Sequence, residues 1–150
     1  KMLTDNIKAK GTLTLVLTDE FGNSHVQEEK NLVVTTGLAY IASRMKDATA
    51  TAMSHMAVGT SSTAAAAGNT TLTESGRVAL DSTTIVTTSV TNDSIQYVAT
   101  FPAGTATAGL QEAGIFNASS AGTMLCRTVF AVINKGALDT LTITWKITVA

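Results

Sequence analysis

Residues 141–149 alternate strictly between apolar and polar side chains. The apolar set is Leu141, Ile143, Trp145, Ile147 and Val149, and the residues between them are Thr142, Thr144, Lys146 and Thr148. A period of two places each set on one face of a β-strand, whereas a helix of about 3.6 residues per turn would scatter both sets. Burying the apolar set contributes on the order of 10 kcal/mol before ordering entropy is subtracted. The segment is therefore predicted to be a core strand.

Other short runs follow the same pattern. Leu13, Leu15 and Leu17 share one face of a strand, and turn-forming residues at 19–24 lead into a polar second strand. Residues 11–30 are therefore predicted to form a β-hairpin. Further strands are predicted at 53–59, 78–80, 85–90, 95–101, 110–116 and 124–133, which together with the last strand occupy most of 53–149.

One segment has helical periodicity instead. The residues spaced i, i+3, i+4 and i+7 are Leu38, Ile41, Ala42 and Met45. Thr and Gly residues at 35–37 are typical of the start of a helix. A single helix is therefore predicted over about residues 36–47, with its apolar side in the core.

Short strands separated by Gly, Asn and Ser turns, with one early helix, predict an all-β single domain. The expected architecture is a β-sandwich or jelly-roll-like fold with one short helix in the N-terminal third. Residues 1–10 have little periodicity and are predicted to be an N-terminal arm, and 11–150 form the β-sandwich domain. The predicted core residues are Leu13, Leu15, Leu17, Leu38, Ile41, Met45, Ile95, Tyr97, Phe101, Ile115, Phe116, Val129, Leu141, Ile143, Trp145 and Ile147.

The sequence is poor in charge. Charged residues make up only 14% of it, against about 25% in typical soluble domains, so Thr, Ser, Asn and Gly must cover much of the surface. Neutral hydroxyl groups cost less to desolvate than Lys or Glu, and such a surface therefore suits permanent contacts. The net charge of −1 and the absence of clustered Lys and Arg lead us to expect no nucleic-acid partner.

No stretch reaches the roughly 18 apolar residues that a membrane-spanning helix needs, and the first residues lack the apolar run of a signal peptide. We therefore expect no membrane partner, and synthesis in a cytoplasm. The single cysteine, Cys126, excludes an intrachain disulfide framework and a Cys-based zinc site.

Candidates for catalysis are few. A nucleophilic enzyme needs a base beside its nucleophile, and the available partners are His25 or His55 with Cys126 or a serine. Neither histidine stands in a recognisable motif, so His25 is predicted to face solvent and His55 to be a packed edge residue. Cys126 is predicted to be buried and inert. We expect no enzymatic activity, no catalytic residue, no cofactor and no metal site.

Two further features have an ordinary structural interpretation. The segment 59–68 lacks the Lys that a phosphate-binding Walker loop requires after its second Gly, because Asn69 stands there. The small-residue segment 60–69 is predicted to be a surface loop. Glu74, Arg77 and Glu112 stand among apolar and small residues. They are predicted to be solvated at turn edges, with buried ion pairs as the alternative.

Several segments form a pattern from residue 56 onward. They are Met56–Thr60, Leu72–Arg77, Ala99–Phe101, Glu112–Asn117 and Thr140–Trp145. The pattern resembles small structural proteins of tailed-bacteriophage virions, among them decoration, head and tail components. The resemblance implies a β-rich module that oligomerises on the particle, often as a trimer, without a cofactor or catalytic residues.

Composition and resemblance together lead us to expect a virion structural protein on the capsid surface, made in the host cytoplasm. It would bind the outer shell as a decoration, or cement, protein. We expect it to form a homo-oligomer, namely a trimer, and to have the major capsid protein or another virion protein as its partner. A tail, fibre or baseplate component is the main alternative, followed by an enzyme or soluble binding module. The absence of glycine repeats and heptads favours the capsid over an elongated fibre.

Charge is concentrated near the start of the chain, where residues 1–30 carry nine charged side chains. We expect the arm and first hairpin to contact the shell, with Lys1, Lys8 and Lys10 as contact residues, while the C-terminal β domain supplies self-association. The alternative is that this region is the solvent-facing edge of the sandwich.

Overall fold

The computed structural model describes residues 7–46 and 50–149, and these ranges contain nine β-strands and one α-helix. The elements are β1 (Ala9–Thr18), β2 (Ser24–Val33), α1 (Thr35–Ser43), β3 (His55–Gly59), β4 (Glu74–Ala79), β5 (Ser82–Val86), β6 (Ser94–Phe101), β7 (Ala108–Phe116), β8 (Met124–Lys135) and β9 (Thr140–Val149). The predicted all-β single domain with one short helix is confirmed. The helix ends at Ser43, and the last predicted helical residue, Asp47, lies outside the described residues.

The strands form one antiparallel sheet in the order β4-β3-β7-β8-β2-β1-β9-β6-β5. Strand β2 joins the two halves, because it pairs with β1 as far as Asn31 and with β8 at Leu32 and Val33. The sheet curls so that β4, at one edge, contacts β6 near the other edge. Buried side chains from both halves then form one core, so a single curled sheet provides both layers of the predicted sandwich.

Asn31 lies where β2 passes from one half of the sheet to the other. Its Oδ1 accepts a hydrogen bond of 3.0 Å from the indole Nε1–H of Trp145, while its Nδ2 is buried with no partner among the described residues. A side chain at Gly11, the residue paired with Asn31, would overlap the Asn31 Oδ1 atom. Glycine at this position therefore lets the amide reach Trp145.

The predicted β-hairpin at 11–30 is present, since β1 pairs with β2. Of the other predicted strands, β5 pairs with β6 and β7 with β8. The strand predicted over 85–90 ends at Val86, because the carboxylate of Asp93 accepts hydrogen bonds from the backbone N–H groups of Thr88, Ser89 and Val90. These bonds fold the chain into a turn where the sequence pattern suggested continued pairing.

Most of the predicted core residues are buried, and Phe116 lies in a second cluster with Val34, Ala57 and Met124 rather than in the main core. Those that are buried are Leu13, Leu15, Tyr97, Phe101, Ile115, Phe116, Leu141, Ile143, Trp145 and Ile147. Those that are partly buried are Leu17, Ile41, Ile95 and Val129. Val129 is less enclosed because it is paired with Glu112, on the side of β8 that faces the loop at 60–73.

Two predicted core residues are exposed, and for these the prediction is wrong. Leu38 is 52% exposed and Met45 is 85% exposed. Met45 lies beyond the end of α1, in a turn that follows Ser43. Its spacing was helical, but the helix ends before it.

The orientation of α1 is set by a close approach at Gly37. This glycine is buried against β8, where an added Cβ would overlap the carbonyl oxygen of Leu125. Tyr40 and Ile41 consequently pack against the core, and Leu38 is rotated outward. The helix begins after Val34, which has extended backbone and no side-chain cap, so the predicted capping role of 35–37 is also wrong.

Replacing Gly37 with Ala is expected to destabilise the protein by roughly 1–3 kcal/mol, because the new methyl group meets a backbone carbonyl that cannot rotate away. Glycine to alanine inside a helix ordinarily stabilises by about 1 kcal/mol, so the sign of the change distinguishes the two effects. Gly68→Ala is the control, since a Cβ there meets nothing within 4 Å. Chemical denaturation of both variants measures the difference, and a more stable Gly37→Ala protein would contradict the packing described.

A second prediction concerns acid stability. Hydrogen bonds from the backbone N–H groups of Val90, Thr88 and Ser89 hold the pKa of Asp93 well below its ordinary value of 3.8. A carboxyl group with a depressed folded-state pKa contributes stability above its unfolded-state pKa, and this contribution is lost as the pH falls below that value. Asp93→Asn is therefore expected to lower the free energy of unfolding near about pH 7 and to reduce its decrease between about pH 5 and pH 2. Denaturation at a series of pH values tests this, and an unchanged pH profile would refute it.

Candidate functional site

One side of the half-sheet formed by β5, β6, β9, β1 and β2 faces away from the core. Directly paired residues share a face of an antiparallel sheet, and here the outward residues are the even-numbered ones of each strand. We call this surface the hydroxyl face. It includes the polar set of β9 identified in the sequence, opposite the buried Ile143 and Trp145.

Neutral side chains occupy the centre of the hydroxyl face. Thr14, Thr144 and Val98 lie in one row across β1, β9 and β6, and Thr142 and Thr100 are paired in the next row. All five are partly buried by their neighbours. Because β-branched side chains are short and stiff, this surface has little side-chain entropy to lose on contact, and its hydroxyl groups are cheaper to desolvate than charges.

Positive charge collects at one corner of the hydroxyl face. Lys30, Thr12 and Lys146 form one row across β2, β1 and β9, and Lys10 is the next outward residue along β1. The predicted contact residue Lys10 is exposed and lines a pocket of about 400 Å³ together with Lys30 and Lys146. Lys8 is exposed, and Lys1 lies outside the described residues.

This corner is a feature that the linear sequence did not reveal. The three lysines are far apart along the chain and converge only because three strands pair in this register. These lysines are therefore clustered in space although they are not clustered along the sequence.

A second feature is a buried ion pair on the other half of the sheet. Glu112 on β7 is fully buried, and its Oε2 accepts hydrogen bonds from Arg127 Nε at 3.1 Å and Nη2 at 2.9 Å. Arg127 on β8 is only 3% exposed. Both charges are thus removed from water, and each needs its full set of partners to be tolerated.

The partners come from the loop at 60–73. Glu112 Oε1 accepts the backbone N–H groups of Ser61 and Thr73, at 3.2 and 2.7 Å. Arg127 donates from Nη2 to the Thr63 carbonyl at 2.8 Å and from Nη1 to Asn69 Oδ1 at 3.0 Å. The ion pair therefore holds a loop that has few large side chains of its own.

The prediction that Glu112 is solvated at a turn edge is wrong. The alternative, a buried ion pair, is correct. Gly114 is paired with Arg127 in the β7–β8 hairpin, so Glu112 and Arg127 are diagonal neighbours on one face. The strands predicted at 110–116 and 124–133 contain both residues of this ion pair. Predicting their contact would have required knowing which residues of the two strands are directly opposite each other.

Arg77 forms a similar anchor on β4. Its Nε and Nη2 donate to the two carboxylate oxygens of Glu74 at 2.7 and 3.0 Å, and its Nη1 donates to the carbonyls of Ala118 and Ala121. The guanidinium carbon lies 3.9 Å from the centre of the Phe116 ring, a cation–π contact. Arg77 is therefore largely buried rather than solvated, and it ties β4 to the loop between β7 and β8.

Within the described residues no hydrogen bond joins His25, His55 and Cys126 to one another, and the one histidine–serine contact is between His55 and the adjacent Ser54. His25 is exposed near the start of β2. His55 is partly buried on β3, and its Nδ1 is 2.8 Å from the hydroxyl oxygen of Ser54. Cys126 is fully buried, and burial raises the pKa of its thiol well above the ordinary value, so this residue is a neutral core group.

The described residues show no metal-binding cluster and no membrane-spanning helix, and no related protein is identified. Across residues 7–46 and 50–149, no three or more His, Cys, Asp and Glu side chains lie close enough together to hold a metal ion. Within the same ranges no helix is long and apolar enough to cross a membrane. Comparison with protein-family models, curated proteins and solved structures finds no match. The function must therefore be inferred from the surfaces and contacts of the chain itself.

Glu112→Gln is expected to destabilise the protein by roughly 3–5 kcal/mol, because it leaves the buried charge of Arg127 without a counter-ion. The control is Glu20→Gln, which removes an exposed carboxylate that makes no ion pair among the described residues and should change the stability little. Denaturant unfolding measures both, and limited proteolysis should show earlier cleavage at 60–73 in the Glu112 variant. Equal losses in the two variants would show that the buried pair is not the anchor of this loop.

Proposed function

We propose that this protein is a structural component of a tailed-bacteriophage virion. It binds the outer surface of the capsid shell as a decoration protein and acts through contacts between many copies, without catalysis. The observation that carries the proposal is the hydroxyl face, whose centre is a neutral, Thr-rich surface on the paired strands β1, β9 and β6. Such a surface can be covered permanently with little cost in desolvation or side-chain entropy.

The segments that resemble phage virion proteins support this role through their place in the fold. Met56–Thr60 contains most of β3, Glu112–Asn117 supplies the buried carboxylate, and Thr140–Trp145 begins β9. These segments thus form paired strands of the sheet, including part of the hydroxyl face, rather than a cleft. A surface on paired strands favours repeated attachment, because little order has to be gained on binding.

The position of Cys126 also agrees with a non-catalytic role. Its thiol is enclosed in the core with a raised pKa, whereas nucleophilic catalysis requires an accessible thiolate beside a base.

Stabilisation of the shell in this proposal is mechanical. Each copy contributes a modest binding free energy, and the sum over many copies and over each oligomer resists expansion of the shell. The centre of the hydroxyl face, on β6 and β9, makes the contacts between copies of a trimer. The charged corner, with Lys8 and Lys10, contacts the major capsid protein, where opposite charges give register and salt sensitivity.

Thr144→Glu is expected to lower occupancy on purified particles about tenfold or more and to dissociate the oligomer, because a charge would be buried at a contact without a partner. Its side chain points outward, so the thermal midpoint should change little. Thr107→Glu, an exposed residue outside the strands, adds the same charge elsewhere and is the control. Electron microscopy of particles and sedimentation of the free protein measure the two effects.

Three results would count against the proposal. A strictly monomeric protein, both free and on particles, would refute the self-association. Equal occupancy for the Thr144 and Thr107 variants would remove the hydroxyl face from the contact. Location of the protein on the tail in micrographs would replace the decoration role with the tail, fibre or baseplate alternative.

A further inference from the structure

The charged corner of the hydroxyl face contains a pocket with an unusual set of groups. Its volume is about 400 Å³, which lies in the range of small-ligand sites. The residues that line it include the lysines Lys10, Lys30 and Lys146 and the threonines Thr12, Thr88 and Thr148. These six side chains can all donate hydrogen bonds, while most of the exposed lining is apolar.

The register of the strands brings the three lysines to one place. Lys30 and Lys146 flank Thr12 on the two neighbouring strands, which separates their Cα atoms by roughly 10 Å. Lys10 lies two residues from Thr12 on the same face. Because a lysine side chain has a flexible stem of four carbons, all three ammonium groups can reach one bound group above Thr12.

These positive charges are not neutralised within the described chain. None of the three lysines makes an ion pair or side-chain hydrogen bond there, and no carboxylate lines the pocket. Glu28 and Glu29 line an adjacent, smaller depression that shares Thr12 and Lys30 with this pocket, but neither carboxylate forms an ion pair with Lys30. Asp93, in the loop that carries Thr88, uses its carboxylate on backbone N–H groups of that loop.

Like charges gathered around one pocket repel each other, and a bound anion removes this repulsion. The hydroxyl group of Thr12 adds a donor that has no partner in the described chain. The hydroxyls of Thr88 and Thr148 are linked to each other and to Ser94, so they form the wall of the pocket.

We propose that this pocket binds a polyvalent oxyanion, whose phosphate or carboxylate oxygens are held by Lys10, Lys30 and Lys146 and by the hydroxyl of Thr12. The inference rests on the geometry and charge of the pocket and does not depend on a role in a virion. Phosphate and carboxylate groups share the chemistry that ammonium and hydroxyl donors recognise, and the experiment separates them.

Isothermal titration of the intact protein at low ionic strength, with inorganic pyrophosphate and with citrate as probes, tests the proposal. Saturable binding of at least one probe is expected, and it should weaken as salt is added. Lys146→Gln and Lys30→Gln should each reduce affinity roughly five- to tenfold, because each removes one close charge. Lys46→Gln, at an exposed position outside the pocket, is the matched control and should leave affinity unchanged.

A second measurement locates the site. Amide chemical shifts in nuclear magnetic resonance spectra should move on titration at Thr12, Lys146 and Thr148 and stay constant at the 60–73 loop. Binding of pyrophosphate alone identifies phosphate as the ligand group, and binding of both probes shows that carboxylates are also accepted.

The proposal is overturned if neither probe binds saturably below about 10 mM, or if Lys46→Gln weakens binding as much as Lys146→Gln. Thermal midpoints of all variants establish that they are folded. Lys30 is exposed, so Lys30→Gln supplies the test even if Lys146→Gln lowers stability.

Discussion

The passage of β2 between the two halves of the sheet is the constraint on which the domain depends. β2 pairs with β1 over most of its length and with β8 at two residues, so the chain has to leave one partner and meet the other near Asn31. The indole of Trp145 is completely buried, and its N–H group requires an acceptor. Asn31 Oδ1 is that acceptor, and Gly11 leaves the space for it. One hydrogen bond thereby ties the crossing of β2 to the strand at the centre of the core.

The curl that follows from this crossing makes the two outer sides of the sheet unequal. On the half that contains β7 and β8, the loop at 60–73 lies over the buried pair of Glu112 and Arg127, so the chain itself satisfies the polar groups there. On the half that contains β1 and β9, the hydroxyl face remains open. The proposed assembly contacts and the proposed oxyanion pocket both lie on this open side, on strands whose opposite side packs in the main core.

Much of the fold could be predicted because strand patterns are local. The alternation around Trp145 and the turns between paired strands are contained in runs of fewer than about fifteen residues, so they can be read without knowing the rest of the structure. The outward side of α1 could not be predicted in this way. Leu38 had the spacing of a core residue, but the contact of Gly37 with the backbone at Leu125 decided which side of the helix faces β8.

The sequence by itself determined an all-β domain with a Thr-rich, weakly charged surface, because period-two alternation and composition do not depend on distant residues. Only the tertiary structure decided which charges are buried and which converge. Glu112 is stable inside the protein because hairpin register places Arg127 diagonally opposite and the loop supplies N–H donors. Lys10, Lys30 and Lys146 meet because three strands from separate parts of the chain pair side by side. Such contacts depend on register and curl, and these arise from packing the whole sheet around one core.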